Sequence, residues 1–493
     1  MEHGGGESVI ADIIVDVPLM QTDQPYSYAI PSEFEGIVEK GMRVHVPFGK
    51  GNRLIQGIVV GVSDKKEKTG LKEVVEVLDY RPVLNEEQLA LADQMRHTVF
   101  AYKISILKAM LPSLLNSSYD KILYPTDQLS ETDRLAIFGS KTSLHFSSLD
   151  VQEQAKMMRL ARSDKLNIEY KASDKKHVKF ESWYSISLDK LIAFAPSNRA
   201  LKQQALKKFL LENTKEGLLK NLRKSFSAPV VKFFIEKGIL EIEEREVDRA
   251  QDYFNQVIKS HSLELNFQQA QAVEAITKQI GKESHPFLLE GVTGSGKTEV
   301  YLQVIEEALK RGKTAIMLVP EISLTPQVTN RFIARFGNQV AILHSGLSEG
   351  EKYDQWRKIE QGQAKVVVGA RSAIFAPLKN IGAIMIDEEH EASYKQDSSP
   401  RYHARDVAIL RARYNHAVLV LGSATPSLES RARASRGVYQ FLELTQRANP
   451  LAKIPPVEVV DFRDYIGQQE ASNFTPVLVE AIRERLEKKN KLY

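Results

Sequence analysis

The run Gly291-Val-Thr-Gly-Ser-Gly-Lys297-Thr298 is a full-length phosphate-binding loop, and its flanks limit what the surrounding chain can fold into. Apolar residues 286–289 precede it and a helix-like run, 299–309, follows. A strand–loop–helix of this kind separates a nucleotide site from a chance string. The glycines let the backbone close around a phosphate, so that successive N–H groups and a helix N-terminus point at negative charge. Gly291, Val292, Thr293, Gly294, Ser295 and Gly296 would form the cradle. Lys297 would reach the β- and γ-phosphates, and the Thr298 hydroxyl would hold Mg²⁺. A Gly-rich turn that binds nothing is the alternative. The complete match and its flanks favour a nucleoside triphosphate, ATP or GTP.

From residue 265 onward, apolar runs at 315–320, 340–343, 365–369, 381–386 and 417–422 alternate with helical segments. Such a pattern predicts an α/β fold with a doubly wound parallel sheet, which binds ligands at the carboxyl ends of its strands. The phosphate loop sits at one such end.

Ahead of this region the chain changes character. Residues up to about 80 read as short strands at 10–17, 43–47 and 56–62, a small β-barrel-like module, and a helical pattern follows over 86–111. Between 120 and 190 the pattern weakens and carries no assignable chemistry. Helix-like stretches at 199–211, 217–222 and 229–236 then precede an alternating strand at 239–247. Three helices and a β-ribbon suggest a winged helix. Lys207, Lys208, Lys220, Arg223, Lys224 and Lys232 would meet phosphates there. A helical insert with a solvated basic face is the other reading.

Composition excludes more than it identifies. With 493 residues, 43% hydrophobic and 26% charged, the chain has room for about three domains. No apolar run reaches the roughly 18–20 residues that span a bilayer, and the N-terminus has no secretory pattern. Zero cysteines exclude disulfides and cysteine-bound zinc within these residues and suit a cytoplasmic protein. A net charge of +4 is too small to mark a nucleic-acid binder.

The remaining motifs stand in a fixed order. Apolar 384–386 runs into Asp387-Glu388-Glu389-His390, about ninety residues after the loop. Asp387 would enter the Mg²⁺ shell, and Glu388 would orient and deprotonate the attacking water. Adjacent carboxylates are otherwise solvated strand ends. Asp-Glu-x-His resembles the box of superfamily 2 helicases and translocases, which makes Lys297, Asp387, Glu388 and His390 the catalytic set. In that superfamily a Gln some twenty residues before the loop reads the adenine edge, here Gln269, which favours ATP. Thr325-Pro326-Gln327 and Gly369-Ala-Arg371 resemble DNA-backbone motifs, and Ser423-Ala424-Thr425 resembles the motif coupling hydrolysis to strand movement. Tyr394-Lys395-Gln396 and Arg401-Tyr402-His403-Ala-Arg405 interleave rings with cations, which suits single-strand binding; a loop whose tyrosines merely pack is the alternative. From its place beside His390, this loop would relay DNA engagement to the box.

Four of these stretches, 291–301, 318–327, 387–396 and 401–406, resemble the PriA family of primosomal replication-restart helicases, with similarity from about residue 10 to the end. The resemblance implies a RecA-like sheet as helicase lobe 1 (251–440), preceded by a β-rich 3′-end-binding domain (1–115), a linking region (116–195) and a winged-helix domain (196–250). It implies a 3′→5′ ATP-dependent DNA helicase with Mg²⁺ that recognises stalled forks and starts replication restart. Tyr26, Ser27, Tyr28, Gly41 and Lys72 fall where the family captures a nascent 3′ end. Forks, single strands, nascent 3′ ends, primosome proteins and single-stranded-DNA-binding protein are the implied partners, at the nucleoid and without a membrane. Residues 441–493 would only begin lobe 2. The family's Zn²⁺ module and the arginine motif completing the ATP site lie beyond that point, so unwinding by this chain alone is not expected. A fork-binding, partner-recruiting module without motor activity, or another superfamily 2 translocase, are the competing readings.

Overall fold

The computed structural model describes residues 8–66, 70–116, 119–172, 180–197, 200–212, 216–246, 260–448, 457–465 and 474–487. Near the N-terminus an antiparallel sheet is ordered β2-β1-β4-β3-β5, from β1 (Ser8–Val15), β2 (Tyr26–Ala29), β3 (Arg43–Phe48), β4 (Arg53–Lys66) and β5 (Glu76–Val77). Its core of Ile13, Phe34, Val44 and Val59 continues into Phe138, Phe146, Met157 and Met158. These come from the stretch that carried no assignment. There β6 (Tyr119–Pro125), β7 (Leu144–His145) and β8 (Leu166–Ala172) make a second sheet, with helices Glu131–Phe138 and Val151–Arg162. The two sheets share one core.

Gly41 is buried, with φ +86, and donates its N–H to Val59 O at 2.8 Å. An added Cβ would lie 1.9 Å from Leu84 O. Gly41 is therefore a turn glycine that lets the 82–84 segment close over the sheet. Gly41→Ala is expected to destabilise the domain by about 2–4 kcal/mol in urea unfolding, from a left-handed backbone and a backbone clash together. Loss of DNA affinity without loss of stability would contradict this account.

β9 (Phe180–Ile186) is the centre of a third sheet, paired antiparallel with β10 (Glu216–Leu218) and β11 (Leu240–Glu246). Helices Leu201–Glu212, Leu219–Ser225 and Ala228–Glu236 close a core of Leu191, Leu206, Leu222, Val231 and Phe234. This unit begins at 180, ahead of the expected boundary at 196. A strand at 216–218 replaces the start of the expected second helix. Lys207 Nζ donates to the carbonyls of Ile192 and Phe194 and so faces its own unit.

The largest element is an all-parallel sheet of seven strands: β12 (Phe287–Gly291), β13 (Thr314–Leu318), β14 (Val340–Leu343), β15 (Val366–Gly369), β16 (Ile381–Ile386), β17 (Val418–Ser423) and β18 (Gln440–Leu444). Their order is β14-β15-β13-β16-β17-β12-β18. Helices cover both faces, which is why β15, β16 and β17 are buried at every position. β18 pairs with β12, so residues 441–444 belong to this sheet and not to a second lobe. Residues 457–461 form no strand.

The N-terminal block is fixed to this sheet. The helix Glu86–Val99, capped reciprocally by Asn85 and Gln88, packs with Lys103–Ala109 against the helix Ala404–Asn415 in one continuous core. Arg411, fully buried, forms a forked pair with Glu87 (2.6 and 3.0 Å) and donates to Ile374 O (2.7 Å) and Ala376 O (2.9 Å). Gln88 Nε2 donates to Phe375 O at 2.9 Å. Among the described residues no helix is long and apolar enough to cross a membrane.

Candidate nucleotide site and its coupling network

β12 ends at Gly291, and the loop turns through Gly294 (φ +78) and Gly296 (φ +82) into the helix Lys297–Lys310. Lys297 Nζ donates to Gly291 O at 2.8 Å. Ser295 Oγ is buried inside the loop with no hydrogen-bond partner among the described residues. Two strands away, β16 delivers Asp387, whose N–H donates to Leu318 O at 2.9 Å. Loop and acidic box meet through Tyr301, whose hydroxyl donates to Asp387 Oδ1 at 3.0 Å. Burial, reinforced by the Glu388 charge, pushes the Asp387 carboxyl up, and the Tyr301 hydrogen bond and Lys297 oppose that rise. Glu388 sits in the left-handed region, at φ +45, a strained position of the kind that gathers at functional sites.

These residues fit a Mg²⁺–triphosphate. The buried, unpartnered Ser295 hydroxyl and the positive-φ glycines suit a phosphate, and Asp387 with Thr298 would hold the metal. No group of three or more His, Asp or Glu ligands gathers among the described residues. The metal would then take its other ligands from phosphate and water, as Mg²⁺ commonly does.

The Ser-Ala-Thr stretch completes the site at the end of β17. Ser423 Oγ donates to Glu388 Oε2 (3.3 Å), accepts from the Thr425 N–H (2.9 Å) and lies 2.8 Å from His390 Nδ1. A hydroxyl has one proton and two acceptor positions. Ser423 Oγ thus stands between Glu388 and His390, and the His390 tautomer sets the direction of the bond to Nδ1. Ala424 lies between Ser423 and Thr425 in the same turn. Glu389 had no assigned role, because one carboxylate in a row of acids carries no signal of its own. It is buried, accepts from Ser427 N–H (2.8 Å) and Ser430 Oγ (2.8 Å), and pairs with Arg405 (3.4 Å).

The expected DNA contacts divide. Thr325 and Gln327 are exposed, Thr325 capping the helix Pro326–Phe336. Lys395 and Arg401 are exposed and donate to the Arg401 and Asp397 carbonyls. Lys72 donates to Gly49 O (3.0 Å), and Tyr26 packs edge-on against Phe48. Ser27 donates to Asp12 (2.8 Å). The remaining five are engaged within the fold. Tyr394 is 1% and Tyr402 2% exposed, so neither ring is free to stack on a base. The Tyr394 hydroxyl donates to Asp387 O at 2.7 Å, and Tyr402 lies edge-on to Phe375. Tyr28 is buried, with its hydroxyl on Pro47 O. Arg405 is held by Glu389, and Arg371 donates to Ser393 O (3.2 Å) and Lys395 O (2.7 Å).

Gln269 is also committed. Its Oε1 accepts from Asn266 N–H (2.9 Å) and its Nε2 donates to Ser295 O (2.8 Å), so it braces the phosphate loop. Gln268 takes the segment leaving β18, accepting from the Thr445 and Gln446 N–H groups (3.0 and 3.1 Å). The Ala448 N–H then donates to Gly294 O at 2.9 Å, within the phosphate loop.

Residues 12–112 match the PriA 3′ DNA-binding domain family, and 262–428 match the family described as type III restriction enzyme, res subunit. Replication restart protein PriA of Bacillus subtilis is 43% identical over 97% of this chain and 61% of its own length. The family is settled by that match together with the 3′-domain match. Over its described span, this chain belongs to the PriA family. PriA of Synechocystis is 36% identical over 96% of the chain and 59% of its own length. The chain thus spans about three fifths of these PriA relatives. A structure of RecG bound to a three-way DNA junction aligns with 91% of the chain and 53% of its own, at 15% identity and TM-score 0.31.

Proposed function

We propose that this chain is the ATP-binding and 3′-end-binding part of an ATP-dependent 3′→5′ DNA helicase that recognises stalled replication forks and starts primosome assembly. The observation that carries the reading is Ser423 Oγ, which joins Glu388 and His390 to the strand end leading out of the site. Bound ATP with Mg²⁺ supplies the scissile triphosphate and the metal's charge. Lys297 exchanges the Gly291 carbonyl for phosphate oxygens, and Asp387 with Thr298 holds the metal. Glu388, held by Ser423, orients the attacking water and takes its proton. Strand movement reaches the base through Ser423 and His390, and the packed 392–405 loop bears on the same box through Glu389 and Arg405. The 12–112 domain and the 180–246 unit, read as a winged helix, present the fork's 3′ end and duplex, with primosome proteins and single-stranded-DNA-binding protein as partners at the cytoplasmic nucleoid.

Because the chain spans about three fifths of its relatives, a fork-binding module without turnover is the second reading. Phosphate release with and without forked DNA separates the two, using forks with free and with phosphate-blocked 3′ ends. Lys297→Ala is expected to abolish DNA-stimulated release while fork affinity stays within about twofold. Unchanged turnover in that variant would refute the loop's role, and equal affinity for free and blocked ends would refute 3′-end capture.

A further inference from the structure

We infer that Tyr301 is a positioning residue for the nucleotide's metal: its hydroxyl aims the Asp387 carboxylate, and Gly422 lacks a side chain because that hydroxyl fills the space. The inference rests on the ATP reading above and deepens it.

Tyr301 lies one helical turn beyond Lys297, on the face of the helix turned into the sheet, where Val300, Val304 and Ile305 are all fully buried. An apolar ring would suffice there for packing. The hydroxyl, buried completely with the ring, needs a partner, and it donates to Asp387 Oδ1 at 3.0 Å. Space for it exists only because position 422 is glycine. A Cβ there would stand 1.7 Å from the hydroxyl oxygen and 2.8 Å from Cζ. The Asp387 main chain is fixed separately, by its own N–H on Leu318 O and by Tyr394 on its carbonyl. Backbone and carboxylate are thus held by different groups. The Tyr301 bond occupies one acceptor position on Oδ1 and sets the carboxylate plane, leaving Oδ2 for the metal or its water shell. Because Gly422 immediately precedes Ser423, one hydroxyl touches the phosphate-loop helix, the metal-binding acid and the strand that carries the coupling motif.

The test is a Mg²⁺ titration of fluorescent ATP-analogue binding to this 493-residue chain, with the thermal midpoint measured in parallel. Tyr301→Phe keeps the ring and removes only the donor. The half-saturating Mg²⁺ concentration is expected to rise about tenfold, the worth of one hydrogen bond to a charged acceptor, while affinity without Mg²⁺ stays within about twofold. Tyr394→Phe removes a bond to the same residue's backbone, and it should shift that concentration by less than about twofold. An unchanged Mg²⁺ requirement in Tyr301→Phe overturns the inference. Equal shifts in both variants also overturn it, because they would report general loosening of the box. A wild-type chain that binds no nucleotide would remove the ATP reading itself, a result distinguishable before any variant is made.

Discussion

Replacing Glu388 with Gln is expected to slow single-turnover phosphate release about 10²–10⁴-fold, the range for removing a general base, while nucleotide affinity changes by less than about threefold. The amide keeps the size of the carboxylate, and its oxygen still accepts from Ser423 Oγ, so the network with His390 and Thr425 persists. What is lost is the capacity to take a proton from water. Rapid-quench measurement on a form of the protein that turns over ATP, with bound nucleotide quantified in the same mixture, separates the step from binding. Hydrolysis within tenfold of wild type would place the base elsewhere. The left-handed backbone at Glu388 should persist in the variant, since it is set by the turn in which Glu391 N–H donates to Glu388 O.

The second large effect concerns stability. Arg411→Met should destabilise the protein by about 3–5 kcal/mol, because it strands the Glu87 carboxylate in a dry interface and takes the donor from two buried carbonyls. Urea unfolding gives the number. Adding Glu87→Leu to Arg411→Met should restore much of the loss, since two apolar groups of similar volume can replace a buried pair. If the single variant loses under about 1 kcal/mol, the contact between the helix Glu86–Val99 and the parallel-sheet domain is wetter than its geometry implies.

The parallel sheet was legible because its strands are unbroken apolar runs and the phosphate loop fixes one strand end and one helix start. β18 was not, because its burial is partial and its sequence, Gln440-Phe-Leu-Glu-Leu444, alternates like a surface strand. Nor could sequence join β9 to β10 and β11, since that pairing reaches from Phe180 to Glu246 and depends on packing. The phosphate loop, Asp387 and Glu388 could be named from motif and spacing, and His390 and Ser423 from the superfamily 2 resemblance. Tyr301 could not, because an aromatic on a buried helix face reads as core until a partner for its hydroxyl is seen. The burial of Tyr394 and Tyr402 was hidden for the reverse reason: flanking Lys and Arg suggested a wet surface, yet both rings are buried while Lys395 and Arg401 are exposed.

The stitch from Ala448 to Gly294 has a mechanical reading. The polypeptide leaving the last strand does not depart freely; it is buttoned to the cradle that would grip the triphosphate, and Gln268 pins it again a few residues earlier. Any tug arriving from downstream sequence would therefore be felt first by the floor of the nucleotide pocket, before the sheet behind it shifts.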